Sequence, residues 1–544
     1  MSLETTSSPA GTDAPAPGRP LNLADVLEAM ADAVGDRTAV FTMDRRYSFA
    51  ELDERATRLA DHLVGAGVAP GEHVAVHSAN RIEWVDALYG CLKARVVPIN
   101  INHKYQRDEL AYLYDNADCV AAIVAPKHAD VVRSLDLPGL RHLLVLGEEY
   151  DAALAAASPD RALHGRAAER SEDDHYVLYT GGTTGRPKGV VWRNADIIRA
   201  ALNEVRFGAP IESVEQLAAE AVANAEPMTV LACGPMMHGG SQWILGNGHV
   251  GGHTVALYTE ASFSATGILD LVEAAGVVSL TFLGDAMGRP VAEALLAEPE
   301  RWDLSRLMAV SNGSAPLSDG VRAQIRAALP GRFILDTMGA SESGATASRI
   351  DDGSGPSAGA PRFNAAADVA VFTSELRPAA VGEEGLLGRS GPLPLGYYKD
   401  PEKTAATFKE IDGRRWTIPG DAARLEEDGS IALLGRGSVC INTGGEKVHP
   451  EEVEAVLLRH DDVFDAAVVG TPHQRWGQQV VALVQRRAGS GVDASELRAH
   501  CRGLIANYKV PKVIVFVDRV PRTPVSKVDY SASIALAAEL VTRV

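Results

Sequence analysis

From Leu21 onward the apolar positions switch between two periods. Leu52, Ala56, Leu59 and Leu63 recur at helical spacing, and Ser48 and Glu51 stand ahead of them at capping-box spacing, which predicts a helix beginning at Ser48. A second helix is predicted around Trp84 to Leu92. Short apolar runs at 74–76, 119–125, 143–146, 230–232, 277–283 and 333–335 read as buried strands. Strands alternating with helices predict α/β layers with mostly parallel sheets. Towards the end, strands are expected at 466–469, 480–484 and 513–517, with helices near 450–458 and 494–506. No internal repeat of short period is present.

Charge divides the chain where the pattern does. The protein has 544 residues and a net charge of −19, yet residues 437–544 carry 13 basic and 12 acidic side chains. All of the excess acid therefore lies in the first 436 residues, which carry −20. We expect a tail over 1–20, a large domain over 21–436 and a smaller one over 437–544, each a size that can bury its own core. The acidic balance argues against nucleic acid as a partner, because a polyanion would be repelled. Five scattered cysteines without a CxxC pair suit a reducing compartment and make no zinc site. No run of 18 apolar residues is present and the start lacks a signal-peptide pattern, so no membrane span and a cytoplasmic location are expected.

The most informative stretch is Tyr179-Thr180-Gly181-Gly182-Thr183-Thr184-Gly185-Arg186-Pro187-Lys188-Gly189-Val190. Glycines let a backbone turn tightly and aim N–H groups at an anion; hydroxyls add donors, and Lys188 and Arg186 add charge. These are the parts needed to hold a triphosphate. The register is not that of a Walker A loop.

This stretch resembles the phosphate loop of the adenylate-forming superfamily, which includes acyl-CoA synthetases, firefly luciferase and peptide-synthetase adenylation domains. Further segments match that family in order: Pro235-Met236-Met237-His238, the 311–317 turn, Met338-Gly339-Ala340-Ser341-Glu342, Pro419-Gly420-Asp421, Gly435-Arg436, the run from Gly444-Gly445 to Glu454, and 521–527 ending in Lys527. The resemblance covers nearly everything after the tail. It implies an α/β fold: a large N-terminal domain of layered α/β sheets with a β-barrel-like subdomain, and a small mobile α+β C-terminal lid domain. It also implies a two-step reaction in which a carboxylate attacks ATP to give an acyl-adenylate, and CoA then displaces AMP, with Mg²⁺ as the metal. The partners implied are a small carboxylic acid, ATP and CoA; a homodimer is compatible with the pattern.

By the same resemblance, Thr180, Gly181, Gly182, Thr183 and Thr184 would contact phosphate, with Lys188 nearby. Glu342, with Thr183, would hold Mg²⁺. Gly313, Ser314, Ala315, Asp336, Met338, Gly339 and Ser341 fall on the nucleotide side, and Asp421 with Arg436 would bind the ribose. His238 would gate the acyl pocket or orient the carboxylate. Gly444 and Gly445 would let the lid pass close to the pantetheine arm. Lys527 resembles the lysine that bridges carboxylate and α-phosphate, and Ser438 stands at the hinge.

Gly182, Met338, Ser341 and Pro419 depart from the usual family residues. They look like variants of an actinobacterial subgroup that includes steroid side-chain CoA ligases. With Gly239 and Gly240 leaving room beside His238, this points to a bulky, largely apolar acid, polycyclic or long-chain. Three other readings stand beside it: an enzyme performing mainly the thioesterification half-reaction, a stand-alone enzyme loading a carrier protein, and a non-catalytic nucleotide-binding relative. A dense run of cations between Arg498 and Lys527 is a candidate for part of the positive charge that ATP and CoA require.

Overall fold

The computed structural model describes residues 18–541 except 181–186, 204–205, 207–208, 314–316, 352–360, 437–438, 444–445, 474–476, 506 and 524–526. Ser48 caps the helix Phe49–Gly65 in a reciprocal capping box with Glu51, and the stripe from Leu52 to Leu63 is buried. This helix crosses the helix Ile82–Lys93 at Gly90, where a Cβ would lie 2.7 Å from Leu59 Cδ2. Lys93 is fully buried between Glu28 and Asp53 at 2.5 and 2.6 Å. A buried ammonium persists only with such pairing, and here it ties the first three helices together.

Two parallel arrays form the centre of the larger domain. One is a four-stranded sheet in the order Val97–Asn100, His73–His77, Cys119–Val124, His142–Val145. The other runs Phe333–Ala340, Ala309–Asn312, Ser279–Phe282, Thr229–Ala232, Thr254–Leu257, Thr38–Phe41. Strands buried on both faces read as short apolar runs. That is why the sequence pattern locates His73–His77, Cys119–Val124, His142–Val145, Thr229–Ala232 and Ser279–Phe282 to within one or two residues, while Thr38–Phe41, Val97–Asn100, Thr254–Leu257 and Ala309–Asn312 lie outside its expectations.

The expectation of mostly parallel sheets fails beyond Phe333. The strand expected at 333–335 extends to Ala340 and folds back on Gly344–Asp351 as a long antiparallel hairpin. Antiparallel strands continue this sheet as far as Phe408–Ile411 and Arg414–Thr417. Half-exposed strands of this kind carry polar residues on one face and are less visible as apolar runs.

The smaller domain has its own sheet: Glu446–Val448, Ile441–Thr443, Gly477–Arg486 and Val463–His473, with Val513–Phe516 added in parallel. Its helices Pro450–Leu458 and Ala494–Arg502 lie where expected, although the second stops at Gly503, short of 506. A last helix, Tyr530–Val541, lies outside the expected elements; it packs Ala537 and the half-buried Tyr530, Leu536, Leu540 and Val541 on the lid's sheet. Among the described residues no helix is long and apolar enough to cross a membrane.

Candidate active site

The described residues on either side of the phosphate-loop stretch are two paired strands. His175–Thr180 and Lys188–Arg193 pair antiparallel with Thr180 opposite Lys188, and Gly396–Tyr397 adds a third strand beside Val190 and Val191. Thr180 and Lys188 are thereby fixed at the mouth. Lys188 Nζ lies 2.5 Å from Asp400 Oδ2 and 5.9 Å from the centroid of the Tyr397 ring. The Tyr397 hydroxyl donates to Glu342 Oε1 at 2.8 Å. One tyrosine therefore links the loop lysine to the candidate Mg²⁺ carboxylate.

Met338, Gly339 and Asp421 line one shallow recess, together with Pro419 and Arg389. Gly339 is required there: a Cβ would lie 2.5 Å from the Gly344 carbonyl oxygen, across the hairpin. Asp421 pairs in register with Arg436, whose side chain lies outside the described residues. Asp336 sits deeper. Its carboxylate accepts from Arg322 and Asn312 through Oδ1, at 2.8 and 3.2 Å, and from Arg349 through Oδ2 at 2.7 Å. Asn312 in turn holds the Gly284 N–H at 2.9 Å. Asp336 thus braces the turn that begins at Gly313.

His238 stands immediately before the helix Gly239–Val250. Gly239 backs onto Leu178 and Ser341, whose carbonyl accepts from the Trp192 indole at 3.0 Å. Burial, with the positive charges of Lys527, Lys104 and the His103 ring, lowers the His238 pKa to about 4, so the imidazole is neutral at physiological pH. Its Nε2 is buried without a hydrogen-bond partner among the described residues. An orphaned polar atom in such a site is one that a ligand can satisfy.

Gly181, Gly182, Thr183, Thr184, Ser314, Ala315, Gly444, Gly445 and Ser438 lie outside the described residues. Two residues that the sequence did not single out organise the rest. Asn100 Nδ2 donates to the carbonyls of Tyr179 and Met237 at 2.9 and 2.6 Å, and its Oδ1 accepts from the Tyr179 N–H at 2.8 Å. Asn80 Nδ2 donates to the carbonyls of Gly234 and Tyr258, both at 2.9 Å, and its Oδ1 accepts from the Met236 N–H at 2.6 Å. Gln242 holds the Met236 carbonyl at 2.9 Å. The segment before His238 is thus fixed from three sides. The only sequence signal for Asn100 was its place at the end of an apolar strand, the end at which α/β sheets bind ligands.

These features fit the expected ligands. The recess offers an apolar cover in Met338 and an acceptor in Asp421, as a nucleoside requires. Mg²⁺ is commonly held by one or two carboxylates together with substrate phosphates rather than by a protein cage. Glu342 suits that mode, since the Tyr397 contact engages Oε1. Among the described residues no group of three or more His, Cys, Asp and Glu side chains could hold a metal ion by itself.

The fold and site define an adenylate-forming enzyme. The family model described as AMP-binding enzyme matches residues 27–398, and that described as AMP-binding enzyme C-terminal domain matches 452–527. The chain belongs to the AMP-binding enzyme family. It is 42% identical over 529 residues to a medium/long-chain-fatty-acid–CoA/3-oxocholest-4-en-26-oate–CoA ligase of Mycobacterium marinum, covering 94% of this chain and 95% of the relative. A 3-oxocholest-4-en-26-oate–CoA ligase of Rhodococcus rhodochrous is 40% identical over 532 residues, with the same coverage. The crystal structure of ATP-bound MatB from Rhodopseudomonas palustris superposes with a TM-score of 0.80 at 25% identity, over 95% of this chain and 99% of that one.

Proposed function

We propose that the protein is an AMP-forming acyl-CoA synthetase that converts a bulky, largely apolar carboxylic acid, steroidal or long-chain, to its CoA thioester through an acyl-adenylate. The observation that carries this is the Tyr397 link between Lys188 and Glu342, the loop lysine and the candidate Mg²⁺ carboxylate. The names of the two relatives supply the acid class. In the first half-reaction Lys188 and the phosphate-loop stretch hold phosphate, and Met338, Gly339 and Asp421 hold the nucleoside. Neutral His238 orients the carboxylate without adding charge. Lys527 supplies a cation where negative charge is concentrated as the carboxylate meets the α-phosphate. Glu342, with Thr183, would hold Mg²⁺, which would supply positive charge toward the phosphate oxygens. In the second half-reaction the lid turns and the Gly444-Gly445 backbone lines the path of the thiol, a lid-type step.

We assign residues 1–20 to a tail, 21–436 to the larger domain and 437–544 to the lid. The protein acts in the cytoplasm on small molecules and not on nucleic acid; a homodimer is the assembly to test by light scattering. A screen of CoA-thioester formation across fatty, aromatic, steroid and terpenoid acids, with and without ATP, tests the function. The expected result is ATP-dependent thioester, with AMP and pyrophosphate, from steroid or long-chain acids. A marked preference for acetate would overturn the acid class, and turnover only with supplied acyl-adenylate would overturn the two-step reading.

A further inference from the structure

Lys527 sits on a loop with a defined stem. Arg522 and Val528 form an antiparallel bridge, the Thr523 N–H donates to the Lys527 carbonyl at 2.8 Å, and the Lys527 N–H donates to Thr523 Oγ1 at 3.2 Å. The stem is anchored within the lid, where Arg522 donates through Nε to Asp465 Oδ2 at 3.0 Å and through Nη2 to Oδ1. Beside this pair lies the helix Asp285–Ala297 of the larger domain. Its Asp285 contributes to the field that keeps Arg522 charged. Its Arg289 lies with the guanidinium 5.6 Å from the ring centroid of Phe464, the residue next to Asp465. Phe464 is 41% exposed and serves no core.

The helix side of this contact is rigid. Asp285 is bound by Arg289 at 2.9 Å and by the Ser318 N–H and hydroxyl at 2.7 and 2.6 Å. The helix is rooted at Gly284, which Asn312 holds, next to the nucleotide turn. Arg289 and Phe464 therefore meet across the domain boundary, each beside an ion pair of its own domain, Asp285 with Arg289 on one side and Asp465 with Arg522 on the other. Arg459 with Asp319 at 3.6 Å and His449 with Glu384 at 3.8 Å complete the boundary more loosely.

We propose that this juxtaposition is a docking register for the lid: Arg289, held by Asp285, receives Phe464 beside the Asp465 and Arg522 pair, and so positions Lys527 for adenylation while playing no part in thioester formation. The inference rests on the two-step reading of the function. Phe464 and Asp285 are positioning residues, since neither touches the reacting atoms. When the lid turns for the second half-reaction, the contact separates, and its loss carries no cost to that step.

The test compares Phe464→Ala and Asp285→Asn with the wild type in three measurements: ATP–pyrophosphate exchange with the acid, CoA-thioester formation from supplied acyl-adenylate, and hydrogen exchange over residues 519–529 without ligand. Each variant is expected to lower pyrophosphate exchange by about tenfold, the scale of a modest coupling between sites, to raise deuterium uptake at the stem, and to leave thioester formation within about twofold. An equal fall in both half-reactions, or unchanged uptake and exchange in Phe464→Ala, would overturn the register. A wild-type protein without pyrophosphate exchange would overturn the functional reading instead, while the uptake measurement still decides the docking contact.

Discussion

The two walls of the active site are built by different means. The wall contributed by the larger domain is a net of buried hydrogen bonds. Asn100, Asn80 and Gln242 together make seven of them to backbone groups on the strand before the phosphate loop, the segment before His238 and Tyr258. Such a net has no alternative partners and holds one geometry. The lid wall is an exposed lysine on a short stem, and among the described residues the lid meets the larger domain through Phe464 against Arg289 and through the longer pairs Arg459 with Asp319 and His449 with Glu384. Long, half-exposed pairs of the last kind are individually weak. The first wall keeps substrates in register; the second is weak enough to let go, as a site that performs two reactions in succession requires.

Changing Lys527 to Ala tests the contrast most directly. It is expected to slow pyrophosphate exchange by about 10²–10³-fold, the scale of removing one charge-stabilising donor, while thioester formation from supplied adenylate persists. Loss of both would mean that the lysine does not belong to one lid position alone. Asn100→Ala should do the opposite and depress both half-reactions together. It should also lower unfolding stability by about 2–4 kcal/mol, since three buried backbone groups lose their partner; calorimetry and the two assays measure this.

Tyr397→Phe lies between these extremes. Removing the hydroxyl that holds Glu342 should raise the Mg²⁺ concentration for half-maximal exchange by about fivefold, the worth of one hydrogen bond, with little change at saturating Mg²⁺. Equilibrium titration of Mg²⁺ with ATP bound should shift in parallel. An unchanged Mg²⁺ requirement would remove the link between the loop and the metal carboxylate.

The smallest effect concerns the lid's own core. Glu454 is buried, its Oε1 accepting from the Val468 N–H at 2.7 Å and its Oε2 from the Tyr530 hydroxyl at 3.2 Å. Burial, reinforced by the nearby Glu451, raises its pKa to about 8 from an ordinary 4.5. A carboxyl raised in the folded state favours folding most fully below the unfolded value and loses that contribution as pH rises through the folded one. Lid stability should therefore decline between about pH 4.5 and 8, and Glu454→Gln should flatten that decline in melting experiments. His238, already neutral above about pH 4, should add no inflexion to the activity profile between pH 5 and 8.

Much of the fold was legible because its signals are local. The capping box at Ser48 and Glu51, the stripe from Leu52 to Leu63 and the apolar strands each lie within a few consecutive residues. The hairpin from Phe333 to Asp351 was only partly legible, since its outer face is polar and its second strand lacks an apolar run. The run of cations from Arg498 to Lys527 was legible as charge but not as function. Lys509 lies 2.6 Å from Glu452 and Arg522 is paired with Asp465, so these two are engaged within the lid.

The sequence by itself determined the family, the order of its motifs and the chemical kind of each candidate residue, because residue type and short spacing are written in the chain. Only the tertiary structure decided which of them work together. Asn100 joins Tyr179 to Met237, Tyr397 joins Lys188 to Glu342, and Arg289 of the larger domain meets Phe464 of the lid. The physical reason is that hydrogen bonds and ion pairs act over a few ångströms of space, whereas the partners here are separated by tens to hundreds of residues of chain. Periodicity and spacing carry no information about such pairs until the sheets have formed and the lid has docked.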